Sequence, residues 1–184
     1  MPADSVLQLK VTLAGIRPPV WRRLQVPAGL TLDRLHLVIQ TAMPWQNYHM
    51  HLFETPAGDY GRRDSELGHR DERKVPLHAV ASTAGDRISY TYDFGDDWVH
   101  RVEVEKVLPE EPGTVYPRCV TGRRACPPED CGGPWAYPDF LEAIADPDHE
   151  EHDELLEWAG GAFDPDAFDA DDINARLAAR LPSA

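Results

Sequence analysis

Several features are missing from this 184-residue chain, and each absence narrows what it can be. It has no run of eighteen apolar residues, so no membrane-spanning helix is expected. No basic-then-apolar segment opens it, so no signal peptide is expected either. Cysteine is scarce: three residues, without a secretion signal, argue against a disulfide framework and for a reducing cytoplasm. There is no phosphate-cradling glycine loop, nucleophile elbow, HExxH or low-complexity repeat. Positive charge is also short. With 18 Lys and Arg against 32 Asp and Glu, the net charge is −14, which weighs against direct nucleic-acid binding, because phosphate contacts need clustered cations.

What is present is an ordinary globular chain, 42% apolar with five Trp, of a length that fits one domain. The charge is uneven. From Asp139 onward fourteen acidic residues face Arg176 and Arg180, whereas the first 138 residues hold 18 acidic and 16 basic. Basic clusters survive there at Arg17/Arg22/Arg23, Arg62/Arg63/Arg70/Arg73/Lys74 and Arg118/Arg123/Arg124. The acidic end reads as a solvated helical surface, or as a face that meets a basic partner or the protein's own arginines.

Hydropathy patterning divides the chain into a sheet-plus-helix part (1–108), a Pro/Cys/Gly loop (109–136) and an acidic helical section (137–184) of one domain. Val6 to Leu13 and Val20 to Val26 alternate as two antiparallel strands. A helix capped by Thr31 follows, with Leu32, Leu35, Val38, Ile39 and Ala42 as its apolar stripe and His36 beside it. Tyr48 to Phe53 predicts a third strand, with His49, His51 and Phe53 on one face. Residues 57–76 read as a long loop. Pro138 fits a first helical position, Asp146-Pro147 a second helix start, and Ile173, Leu177 and Leu181 a last helix.

The richest stretch is Ile88 to Val104. Ile88, Tyr90, Tyr92 and Phe94 alternate with polar residues, and Trp98, His100, Val102 and Val104 resume the pattern after Gly95-Asp96-Asp97. A three-residue turn would pair Phe94 with Trp98, Tyr92 with His100, Tyr90 with Val102, Ile88 with Val104 and Arg87 with Glu105. Hairpin, helix, strand and second hairpin predict an α+β fold: a β-grasp-like mixed sheet of two hairpins plus one strand, crossed by a helix, with the C-terminal helices packed on it.

Five stretches, RPPVWRRLQVP with TLDRLH, HLF, YTYDFGDDWVHRVEVE, YPRCVTGRRACPPEDCGG and DFLEAIADPDHEEHDELLEWAGGAFDPDAFD, run in order from Arg17 to Asp169. In these the chain resembles the plasmid pRiA4b ORF-three-like family, a group also described as transposon-passenger, TnpR-like proteins. The resemblance implies an α+β fold and a bacterial intracellular setting, and it names no reaction. A resolvase would need a nucleophilic serine among arginines and a basic recognition helix. Here Ser5, Ser65, Ser82, Ser89 and Ser183 are scattered and no such helix follows.

Two constellations could carry chemistry. Cys119, Cys126 and Cys131 could hold zinc with His100 or His51 as a fourth ligand, although the spacing lacks a close CxxC pair and buried reduced thiols are the competing reading. His51, Asp93, Asp96, Asp97 and His100 could hold a divalent metal that activates water, although Gly-Asp-Asp is also good turn chemistry. The Asp164 to Asp172 run reads as helix-capping aspartates, and His149 and His152 as an acidic helix surface. Trp45, Tyr48, Tyr92, Trp98, Tyr116 and Trp135 could line a ligand groove or form core. Two functions follow from these patterns. One is a cytoplasmic accessory or binding module of mobile-element-associated type for a protein, peptide or small ligand, with or without a structural metal such as zinc; the other is a metal-dependent hydrolase or nuclease built on the His51/Asp93/Asp96/Asp97/His100 cluster.

Overall fold

The computed structural model describes residues 5–62 and 68–181, so Arg63, Ser65 and Ser183 lie outside it. The architecture is α+β. Eight strands form one mixed sheet in the order β5-β4-β3-β6-β7-β1-β2-β8. They are β1 (Ser5–Leu13), β2 (Trp21–Pro27), β3 (His51–Thr55), β4 (Gly58–Gly61), β5 (Arg70–Asp71), β6 (Arg87–Tyr92), β7 (Trp98–Pro109) and β8 (Arg118–Arg123). The helices are α1 (Leu32–Ala42), α2 (Gly133–Ala145), α3 (His152–Trp158) and α4 (Ala170–Arg180). Every neighbouring pair is antiparallel except β4 with β5.

The apolar alternation of β1 does what its period requires. Leu7, Leu9, Val11 and Leu13 are buried, and β1 lies between β2 and β7 in the sheet. α1 buries its predicted stripe, together with His36, Gln40 and Thr41. Thr31 occupies the N-cap in extended backbone, but its side chain makes no capping bond. At the other end Arg22 is buried and donates from Nε to the Ala42 carbonyl (2.9 Å), so a cation meets the negative end of the helix dipole. One member of the first basic cluster is thus structural, with its guanidinium 5.1 Å over the Phe168 ring.

The β6–β7 hairpin has a register two residues away from the expected one. Tyr92 pairs with Trp98, Tyr90 with His100, Ile88 with Val102 and Arg87 with Glu103. The turn is longer because Asp93 and Asp97 both take left-handed backbone (φ 57° and 55°) and Asp97 N–H reaches the Asp93 carbonyl at 2.7 Å. A shift of two keeps each side chain on its face, so the aromatic face still points inward while Phe94 is left exposed. Glu105 sits at the β1–β7 irregularity and accepts both Arg23 nitrogens (2.6 and 2.8 Å) rather than facing Arg87, which pairs with Glu103 at 3.0 Å.

Four further expectations are corrected. Residues 57–76 are not one loop: β4 and β5 form within them, since Phe53 and Tyr60 pair across a tight β3–β4 turn. The 109–136 stretch contains β8, which pairs with β2 on the sheet edge. α2 starts at Gly133, with Pro138 inside it, so Pro134 takes the early position where a missing N–H costs nothing. Asp146-Pro147 opens turns rather than α3, which leaves His149 outside the helix that holds His152.

Asp169 caps α4 through Asp171 and Asp172 N–H, as the capping reading of the Asp run requires. Ile173, Leu177 and Leu181 are buried. Asn174 of α4 accepts the Cys119 N–H (2.7 Å) and donates to the Cys119 carbonyl (2.9 Å). It thereby satisfies β8 backbone that a sheet edge would leave open. Asn174→Ala should therefore cost about 1–3 kcal/mol in urea unfolding with an unchanged m-value; no change in midpoint would show that the edge is held without this amide.

Candidate functional site

Three chain segments meet at the end of the β6–β7 hairpin. The first is the 45–49 stretch between α1 and β3, the second the Asp93–Asp97 turn, and the third the 125–132 loop. Trp45 Nε1 donates to the Pro127 carbonyl (3.0 Å), and Gln46 N–H donates to Glu129 Oε2 (2.9 Å). Tyr92 Oη donates to Glu129 Oε1 and accepts the Tyr48 N–H at 3.0 Å. Asp96 Oδ2 accepts the Gly132 N–H (3.1 Å). Gly133 packs so close that a Cβ there would lie 2.2 Å from the Asp96 carbonyl oxygen, so no larger residue fits its φ of 75°.

At this junction His49 Nε2 lies 2.8 Å from Asp130 Oδ1, 3.6 Å from Asp93 Oδ2 and 4.0 Å from Glu129 Oε1. The nitrogen is buried yet aligned for no hydrogen bond among the described residues. Among those residues, His49, Asp93 and Asp130 are the one group of His, Cys, Asp or Glu whose ligand atoms all lie within 4.8 Å of one another. Asp93 is held from two directions, its N–H donating to the Met50 carbonyl (2.9 Å) and its Oδ1 accepting Gly95 N–H (2.9 Å).

Beside this junction runs a cleft of about 350 Å³, lined by residues that include Asp33, His36, Asn47, His49, His51, Arg62 and Glu72. His51 Nε2 meets Glu72 Oε2 at 2.7 Å. Its ring stacks on His36 with centroids 3.6 Å apart and planes 8° from parallel. His36 also meets Tyr90 Oη (2.7 Å) and Asn47 Oδ1 (2.8 Å). Burial, and then the neighbouring His51, lower the His36 pKa to about 3.

The sequence candidates separate on this frame. Asp93 joins His49, which alternation put on the His51 face of the third strand without singling it out and which lies ahead of β3. His51 is occupied by Glu72 and His36, Asp96 secures the loop, and Asp97 closes the turn. His100 is fully buried against the edge of Trp45 (5.1 Å), with Nδ1 3.2 Å from the Tyr90 carbonyl and Nε2 unpartnered. Burial lowers its pKa to about 4.

Cys119, Cys126 and Cys131 form no group of three ligand atoms with His100 or His51. Burial raises all three thiols, to about 11 for Cys119 and about 12 for Cys131 and higher still for Cys126, which favours the protonated form. Trp45 stacks on Tyr92 and meets Trp98 at a tilt within the core, Tyr116 is buried, and Trp135 is 86% exposed. His36 was legible only as a histidine beside the α1 stripe, and Glu129, Asp130 and Glu72 carried no signal in the sequence beyond the Pro-Pro-Glu-Asp placement of the first two in a loop.

Both buried histidines stay neutral in the fold but can charge in the unfolded chain. Between their folded pKa values and about 6.5 the unfolded state binds more protons, so stability is complete above about pH 6.5 and falls as pH drops toward 4. From pH 7 to 5 the loss should be on the order of 2 kcal/mol per histidine. In urea titrations His100→Phe should flatten that slope by about half; an unchanged slope would place the acid sensitivity elsewhere.

Residues 5–172 match the family described as plasmid pRiA4b ORF-3-like protein. The uncharacterized protein y4hQ of Sinorhizobium fredii (strain NBRC 101917 / NGR234) is 44% identical over 174 residues, spanning 92% of this chain and 89% of its own. The crystal structure of MM3350, a protein of unknown function from Methanosarcina mazei Go1, is similar at a TM-score of 0.85 and 40% identity, over 93% of this chain and 98% of that one. With fold, sequence and length in agreement, the chain belongs to the plasmid pRiA4b ORF-3-like family.

Proposed function

We propose that this protein is a cytoplasmic, non-enzymatic accessory module, of the kind carried on mobile elements, that binds a small cationic ligand or a basic peptide side chain. The ligand would sit in the cleft beside α1. One observation carries this reading: Asp33, which lines the cleft, has a buried Oδ1 with no hydrogen-bond partner among the described residues. A buried carboxylate oxygen left unpaired is costly, and a ligand that donates hydrogen bonds would relieve it. Glu72 on the same lining is a buried acid, and Arg62 is the one lysine or arginine in that lining. Ligand pockets of this size fix orientation with a few such polar groups. The match of residues 5–172 to a family named after a plasmid open reading frame supports the mobile-element setting.

The hydrolase reading draws less support. It keeps Asp93, while Glu72 occupies His51 and burial encloses His100. Among the described residues no helix is long and apolar enough to cross a membrane.

Thermal-shift screening with amines, guanidines and arginine- or lysine-containing peptides should identify stabilisers, whereas anions of the same size should not. At a hundredfold excess over Kd the gain should be about 2.7 kcal/mol, or roughly 5–10 °C in Tm. Asp33→Asn should abolish the shift. Equal response to anions, or a shift that survives Asp33→Asn, would refute the assignment.

A further inference from the structure

Around His49 Nε2 stand three carboxylates from two different segments: Asp93 on the hairpin turn, and Glu129 and Asp130 on the 125–132 loop. A surface cluster of acids would be unremarkable, but this one has an imidazole nitrogen at its centre. That nitrogen is buried although the side chain is 32% exposed, touches Asp130 Oδ1 at 2.8 Å without the alignment of a hydrogen bond, and lies within 4.0 Å of an oxygen from each acid. The Asp93 side chain is nine-tenths buried, with Oδ1 taken by Gly95 N–H and Oδ2 turned to His49 at 3.6 Å, beyond hydrogen-bond range. Glu129 is equally buried and is oriented by the Tyr92 hydroxyl. Hydrogen bonds from fixed groups to ligating carboxylates are the outer shell that metal sites require.

We propose that His49, Asp93 and Asp130, supported by Glu129, bind one divalent transition-metal cation of the manganese or zinc type. Two donors that each sit about 2.1 Å from one ion are separated by about 3–4.2 Å. The 2.8, 3.6 and 4.0 Å separations around His49 Nε2 fall close to that span. The mixed nitrogen and oxygen donor set favours a borderline cation over calcium, which takes oxygen ligands alone. A single imidazole with two or three carboxylates leaves coordination positions open. His49 also lines the cleft, so those positions would be available to water or to a donor atom of a bound ligand. The ion would link three segments that are remote in sequence, which makes metal binding a stabilising event for the junction.

The site is independent of the cationic-ligand reading and can fail without it. Protein stripped with EDTA and dialysed into buffer with Mn²⁺ or Zn²⁺ should take up close to one equivalent by elemental analysis. It should melt at higher temperature and broaden the Mn²⁺ EPR signal on binding. His49→Ala and Asp130→Asn should each weaken uptake at least tenfold. Asp130 is exposed, and circular dichroism should show that its variant keeps the fold. Cys126→Ala, whose thiol is not one of the clustered ligand atoms, should leave metal uptake unchanged. Absence of stoichiometric uptake of either ion, uptake that survives both His49→Ala and Asp130→Asn, or uptake lost with Cys126→Ala alone would overturn the assignment.

Discussion

The hydroxyl of Tyr92 is the contact on which the functional end of this protein depends. It donates to Glu129 on one side and accepts the Tyr48 N–H on the other, so one buried atom joins the loop after β8 to the linker before β3. Tyr92 can do this because it ends β6, with its ring stacked 5.1 Å from Trp45 and its backbone paired to Trp98. Burial and the carboxylate contact together raise its pKa, so the phenol remains a donor. Without that bond Glu129 would be a buried acid held by a single backbone N–H, and the 125–132 loop would lose its best anchor to the hairpin.

The inner face of the sheet shows how a polar interior is made tolerable. His36, Gln40, His51, Tyr90 and Glu72 form a chain of contacts between α1, β3, β6 and the turn after β5. The His36 ring stays neutral and the His51 ring meets Glu72 at 2.7 Å, which limits the cost of enclosing these polar groups. The thiols follow the same rule with a different result. Burial favours their protonated form, and hydrogen bonds of Trp45, Asp96 and Tyr92 hold the 125–132 loop.

The acidic C-terminal section behaves largely as a solvated surface, with several specific attachments, among them the Arg22 guanidinium over the Phe168 ring. Arg124 pairs with Asp166, which ties the section to the end of the sheet, and Asn174 completes the backbone pairing of β8. These contacts explain how a stretch with fourteen acids and two arginines packs against the sheet at all. Its apolar residues, Ile173, Leu177 and Leu181, face inward while the carboxylates face water.

Periodicity alone determined a great deal of this. Leu7 to Leu13, the α1 stripe, the aromatic face from Ile88 to Val104 and the last helix are all legible, because burial of one face imposes a period that the residues must obey. The face survived even where the register did not: moving the hairpin by two residues preserves which side chains point inward, whereas the longer turn follows from two aspartates in left-handed backbone. Strand β8 and the start of α2 were hidden in a Pro- and Gly-rich stretch, because an edge strand stabilised by a distant asparagine leaves little local pattern. The junction of His49 with Asp93, Glu129 and Asp130 was the least legible part. Its residues come from segments up to 81 positions apart, from His49 to Asp130, and only the tertiary contacts of Tyr92, Trp45 and Gly133 bring them together.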